Sequence, residues 1–146
     1  MYKFVVLSVL AVLACALAAP SGSEDGQAAA YKVFQDAAEK CKTEQSVSAE
    51  DAKILQNHGQ LPSNEAQKCL IQCIGTQLGQ IKDGKLDREG FNNYNKIRYP
   101  QNQAKLDEGT KVFEKCQPEV EKRSGEKCGA GYAMRACIID FFNLKN

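Results

Sequence analysis

Seven cysteines and one histidine are the residues of this 146-residue chain with the most chemistry to offer. A serine or cysteine nucleophile needs a base in reach, so such a site would have to be built on His58. His58 falls at the end of a short predicted helix, where a cation is favoured and a surface role is ordinary. No G-x-S-x-G, HExxH or P-loop pattern occurs, and no histidine lies beside a cysteine pair as a secreted phospholipase requires. Asp83-Gly84-Lys85-Leu86-Asp87 opens like a calcium loop, but Lys85 stands at its third position and Arg88 where the loop needs glycine. It reads as a turn leading into a helix cap. The cysteines lack metal-type C-x-x-C pairs, and the eighteen acids show no carboxylate pair in an apolar setting. The expectation is a protein that is not an enzyme, with no cofactor and no metal, whose cysteines cross-link it.

The elements that would position those cysteines follow from patterning. Lys3, the apolar run Phe4 to Leu17 and the small residues Ala16-Leu17-Ala18-Ala19 form the three-part pattern of a secretory signal peptide over residues 1–19. The run is shorter than the ~20 residues a bilayer needs, and no second one follows. Its removal takes away Cys15 and Lys3, which leaves six cysteines and eighteen basic residues against eighteen acidic. With no net charge and no block of one sign, nothing points to a nucleic-acid groove or a polybasic membrane patch. An even cysteine count in a secreted chain of this size reads as three disulfides in one domain, residues 20–146.

The spacing predicts six helices. The first covers about 28–43, with Tyr31, Phe34, Ala38 and Cys41 on one face; the second covers 47–58, capped by Ser48 and stopped by Gly59. The third, 64–81, is capped by Ser63 and carries Leu70, Ile74, Leu78 and Ile81 in a stripe. Asp87 caps the fourth, 88–98, which buries Phe91, Tyr94 and Ile97. The fifth, 102–117, turns Leu106, Val112, Phe113 and Cys116 inward and is ended or kinked by Pro118. The sixth covers about 126–142, with Ala130, Met134, Cys137, Ile138 and Phe141 in its stripe. No segment alternates with a two-residue period, so the fold class is all-α.

Cys69 and Cys73 lie one turn apart on the third helix, with Cβ atoms about 5–6 Å apart, too far to bond each other. If Cys128 and Cys137 share a helix they are about 13 Å apart and cannot bond either. These exclusions leave ten of the fifteen possible pairings of six cysteines, and spacing does not choose among them.

All six cysteines, in order, carry a resemblance. The gaps between them are 27, 3, 42, 11 and 8 residues, with Cys69-x3-Cys73 and Cys128-x8-Cys137 the most specific. This pattern, behind a signal peptide, resembles the insect odorant-binding proteins of the pheromone and general odorant-binding type, over about 28–146. The turn KDGKLDREGF, 82–91, also looks like the linker of that family. The resemblance implies a bundle of six helices around a hydrophobic cavity, bridged Cys41–Cys73, Cys69–Cys128 and Cys116–Cys137. The implied function is reversible carriage of a small hydrophobic ligand, a volatile or a fatty acid, through extracellular fluid. A membrane receptor or a second copy of the chain are the further partners to consider, and no nucleic acid is expected. The lining candidates are Phe34, Leu55, Leu70, Ile74, Leu78, Phe91, Tyr94, Phe113, Met134, Ile138, Phe141 and Phe142. A polar ligand head would meet Tyr94, Tyr99, Tyr132 or Lys82 at the rim. The nine residues after Cys137 are too few for a seventh helix, but Phe141, Phe142 and Leu144 could close the cavity as a wall or lid. The competing reading is a secreted protein of the same fold, with its core filled, that acts by protein–protein interaction.

Overall fold

The structure is a computed structural model and describes residues 22–143. The signal peptide expected over 1–19 and Leu144 therefore lie outside the described residues. Six α-helices are present among those described: α1 (Gly22–Glu44), α2 (Ala49–Ala52), α3 (Glu65–Gln77), α4 (Arg88–Arg98), α5 (Gln103–Glu121) and α6 (Gly129–Asn143). A 3-10 turn, Lys53–Gln56, continues α2, and a hairpin of β1 (Ile81–Lys82) and β2 (Lys85–Leu86) joins α3 to α4. None of these helices is long and apolar enough to cross a membrane.

Four helices start on a side-chain cap that accepts the third backbone N–H beyond it: Ser48 from Asp51, Asn64 from Gln67, Asp87 from Gly90 and Asn102 from Lys105. The cap of α3 is Asn64 rather than Ser63, whose own N–H and hydroxyl donate instead to the Gln67 side-chain oxygen Oε1 at 2.9 and 3.1 Å. Asp51 ties this corner together. It accepts from Asn64 Nδ2 at 2.7 Å and from Ser48 Oγ at 2.8 Å, and these bonds hold its carboxyl below the usual range.

Helix α3 ends four residues earlier than its apolar stripe suggests. Gly79 adopts φ +73° and donates to Thr76 O, while Gln80 donates to Gly75 O, a Schellman turn that only a residue tolerant of the left-handed region supports well. Asp83 and Gly84, at φ +52° and +73°, then make a two-residue type I′ turn. In that register Ile81 lies opposite Leu86 and both point inward, so Ile81 is a strand residue of the core. Helix α5 runs through Pro118 to Glu121 because Val120, fully buried, keeps its last turn on the core. Cys128 sits at φ +55°, just ahead of α6 rather than within it. Tyr31 and Ile97 face solvent, at 61% and 40% exposure, contrary to their place in the predicted stripes.

The bridges join Cys41 to Cys73, Cys69 to Cys128 and Cys116 to Cys137. Helix α3 is thereby stapled to α1 on one side and to the start of α6 on the other, and α5 is stapled to α6. The bridges span separations of 32, 59 and 21 residues. On the chain-entropy account each, taken alone, stabilises by about 3–4 kcal/mol.

The apolar interior is divided. One cluster gathers Ile81, Leu86, Phe91, Val112, Phe113, Val120 and Met134 between the hairpin, α4, α5 and α6. The other gathers Ala38, Cys41, Ile54, Leu70, Ile71 and Ile74 between α1, the 3-10 turn and α3. Backbones approach closely where α4 meets the end of α3: a Cβ on Gly90 would fall 1.8 Å from Gly79 O. Gly90→Ala should therefore lower stability by at least about 2 kcal/mol in urea unfolding. Gly125→Ala, where an added Cβ meets nothing within 4 Å, should be near neutral.

Candidate functional site

A pocket of about 520 Å³ opens between the two clusters and takes residues from both. Helices α3, α4, α5 and α6 each contribute residues at helical spacing. Phe34 comes from α1, and Ile71, Ile74 and Leu78 from α3 and its cap. Helix α4 presents Phe91, Tyr94, Asn95 and Arg98; α5 presents Lys105, Glu108, Gly109 and Val112. Helix α6 supplies Met134, Arg135, Ile138, Ile139 and Phe142, and His58-Gly59 completes the edge.

The pocket is apolar inside and polar at its mouth. Ile71, Ile74, Phe91, Val112 and Met134 are buried, whereas His58, Arg98, Lys105 and Phe142 are exposed. Two of the cations at the mouth have partners there. Lys105 Nζ lies 2.8 Å from Glu108 Oε2, which holds the ammonium above its usual range, and the Arg98 guanidinium lies over the Tyr99 ring at 5.1 Å. Tyr94 is half-buried, and burial pushes its phenol up, so the hydroxyl stays a neutral donor. Arg135 is spent on structure: it donates to the carbonyls of Ile54, Asn57 and Gln60 at 3.1, 2.5 and 2.7 Å. Those bonds fasten the segment that follows α2 to α6, and burial pushes the guanidinium down. Such a site can enclose an apolar molecule. His58, the base a nucleophilic site would need, is exposed at the edge.

Comparison with known proteins gives the same direction. The sequence pattern described as the PBP/GOBP family matches residues 23–140. The chain belongs to that family. It is 32% identical, over 105 residues, to general odorant-binding protein 19d of Drosophila melanogaster, a match covering 70% of this chain and 67% of the relative. Its fold is that of odorant-binding protein 28a from Drosophila melanogaster, with a TM-score of 0.60 at 22% identity over 83% of this chain and 98% of that one. The PBP/GOBP family is one of odorant-binding carriers rather than enzymes.

Of the lining candidates, Phe34, Ile74, Leu78, Phe91, Tyr94, Met134, Ile138 and Phe142 stand in the pocket wall, and four do not. Leu70 is fully buried against Cys41 and Ile54, and Leu55 packs on the same cluster. Phe113 turns away, edge-on to Phe91 at 5.6 Å and capped by the Arg88 guanidinium at 4.5 Å. Phe141 packs on the other cluster beneath Lys115. Of the rim candidates Tyr99 lines the pocket, whereas Tyr132 is held between Arg123 and Lys68.

Reading single residues by size missed Ile71, Asn95, Gly109, Val112 and Ile139. Their signal was positional: 105, 109 and 112 form one face of α5, and the glycine in it marks a place where the wall is cut back. The Arg135 fastening yields its own test. Arg135→Met should speed amide exchange across 53–60 and cost about 2 kcal/mol, while amides of α5 keep their protection.

Proposed function

We propose that this chain is a secreted carrier that takes up a small hydrophobic molecule reversibly into the pocket between its two clusters. The observation that carries this reading is the pocket itself, about 520 Å³ with a buried apolar interior and a polar mouth. Pockets that enclose a small molecule have this size and this arrangement. A ligand burying about 250 Å² of apolar surface gains about 6 kcal/mol before the cost of association, so useful affinity needs no covalent or ionic chemistry. Secretion is supported by the signal pattern at 1–19 and by three disulfides, which persist in an oxidising compartment. Phe142, 43% exposed at the mouth, acts as part of a wall that the last turn of α6 closes.

The oxidised protein, from residue 20 onward, should bind an environment-sensitive apolar fluorophore saturably, near one per chain, and release it to one class of aliphatic competitor. Folded protein with no uptake would favour a filled core and action by protein–protein contact. Removing residues 141–146 should weaken uptake about tenfold, since Phe142 and Asn143 leave the wall. Unchanged affinity would assign the closure elsewhere.

A further inference from the structure

One group of the pocket wall is left without a role by simple apolar enclosure. Asn95 Nδ2 is shielded from solvent and has no hydrogen-bond acceptor among the described residues. A buried amide donor left unpaired carries its whole desolvation cost, and native structures rarely keep one without a use.

The surroundings say what would pair with it. A Cβ on Gly109 would fall 2.4 Å from Nδ2 and 3.0 Å from Cγ, so the Asn95 amide occupies the space that a side chain on α5 would take. Both residues stand in the pocket wall. Phe91 lies one turn before Asn95 and Val112 one turn after Gly109, both buried, so the donor is set in apolar surroundings. The cations nearby stand exposed at the mouth, Lys105 paired with Glu108 and Arg98 over the face of Tyr99. A carboxylate at Asn95 would surrender its hydration to a single neutral donor. A neutral carbonyl surrenders less and still accepts the bond. The terminal torsion of asparagine is broad, so the amide can turn its N–H toward the pocket as the ligand arrives.

We infer that Asn95 is the polar anchor of the pocket, selecting an aliphatic chain that bears a neutral carbonyl oxygen over the bare hydrocarbon of equal length. This rests on the carrier reading and names the ligand class for that same pocket.

The test is displacement of an apolar fluorophore by a methyl ketone and by the n-alkane with the same number of heavy atoms, in the wild-type protein and in Asn95→Leu. The expected result is a ketone-to-alkane affinity ratio at least fivefold lower in the variant, with alkane affinity unchanged or tighter. Alkane binding also reports that the variant is folded. Asn95→Asp, which replaces the donor with an acceptor, should lower the ketone affinity in the same way. An unchanged ratio in both variants would overturn the anchor while leaving the carrier reading intact. If the folded wild-type protein takes up neither fluorophore nor alkane, the carrier reading falls and the anchor with it.

Discussion

Two sulfurs leave helix α3 one turn apart, and they cannot meet. Each must find a partner on another element, and that requirement places α3 between α1 and the start of α6. The third bridge fixes α5 to α6 in turn. Four helices are thus held by covalent links, without needing a continuous apolar filling to keep them together. A chain of this size without cross-links would be expected to close its interior as one packed core. Here the interior is two clusters with a pocket between them.

The division also sorts the large side chains. Leu70, Ile54 and Cys41 make one closed cluster beside a bridge, and Phe113 with Val120 and Cys116 makes another. Residues one position or one turn away, Ile71 and Val112 among them, face the gap instead. Glycines set how near the backbones come. Gly90 lets α4 lie on the end of α3, and Gly131 brings α6 against Gln72, whose side-chain oxygen accepts its N–H at 3.2 Å. Arg135 then closes the edge by holding three carbonyls of the segment after α2. These contacts are structural, and beside them the pocket wall carries the polar side chains of Gln80, Tyr94 and Asn95.

Much of this architecture was legible in the chain. Spacing and capping residues placed six helices, with Ser48 and Asp87 marking two starts, but α1 begins at Gly22 rather than 28 and the second is α-helical only over Ala49–Ala52; the six cysteine positions carried the family. What was missed has physical causes. The end of α3 depended on Gly79 taking a left-handed conformation, which competes with an apolar stripe that runs on to Ile81. The hairpin at 81–86 is too short for alternation to show, although Asp83-Gly84 is the signal for its turn. Pro118 lies within α5 because tertiary packing of Val120 outweighs a lost backbone bond. Tyr31 and Ile97 show the same limit from the other side, since a stripe fixes which residues share a face but not how far the face is covered. The pocket wall was half legible for that reason. Residue size does not distinguish a side chain that fills a core from one that borders a gap.

The measurement that bears most directly on a divided core is methyl NMR of the oxidised protein, titrated with a small aliphatic probe. The account predicts large shift changes at the methyls of Ile71, Ile74, Leu78, Val112, Met134 and Ile138, and little change at Ile54, Leu70 and Val120. Changes confined to the surface residues Val33 and Ile97, or spread evenly over both clusters, would contradict it.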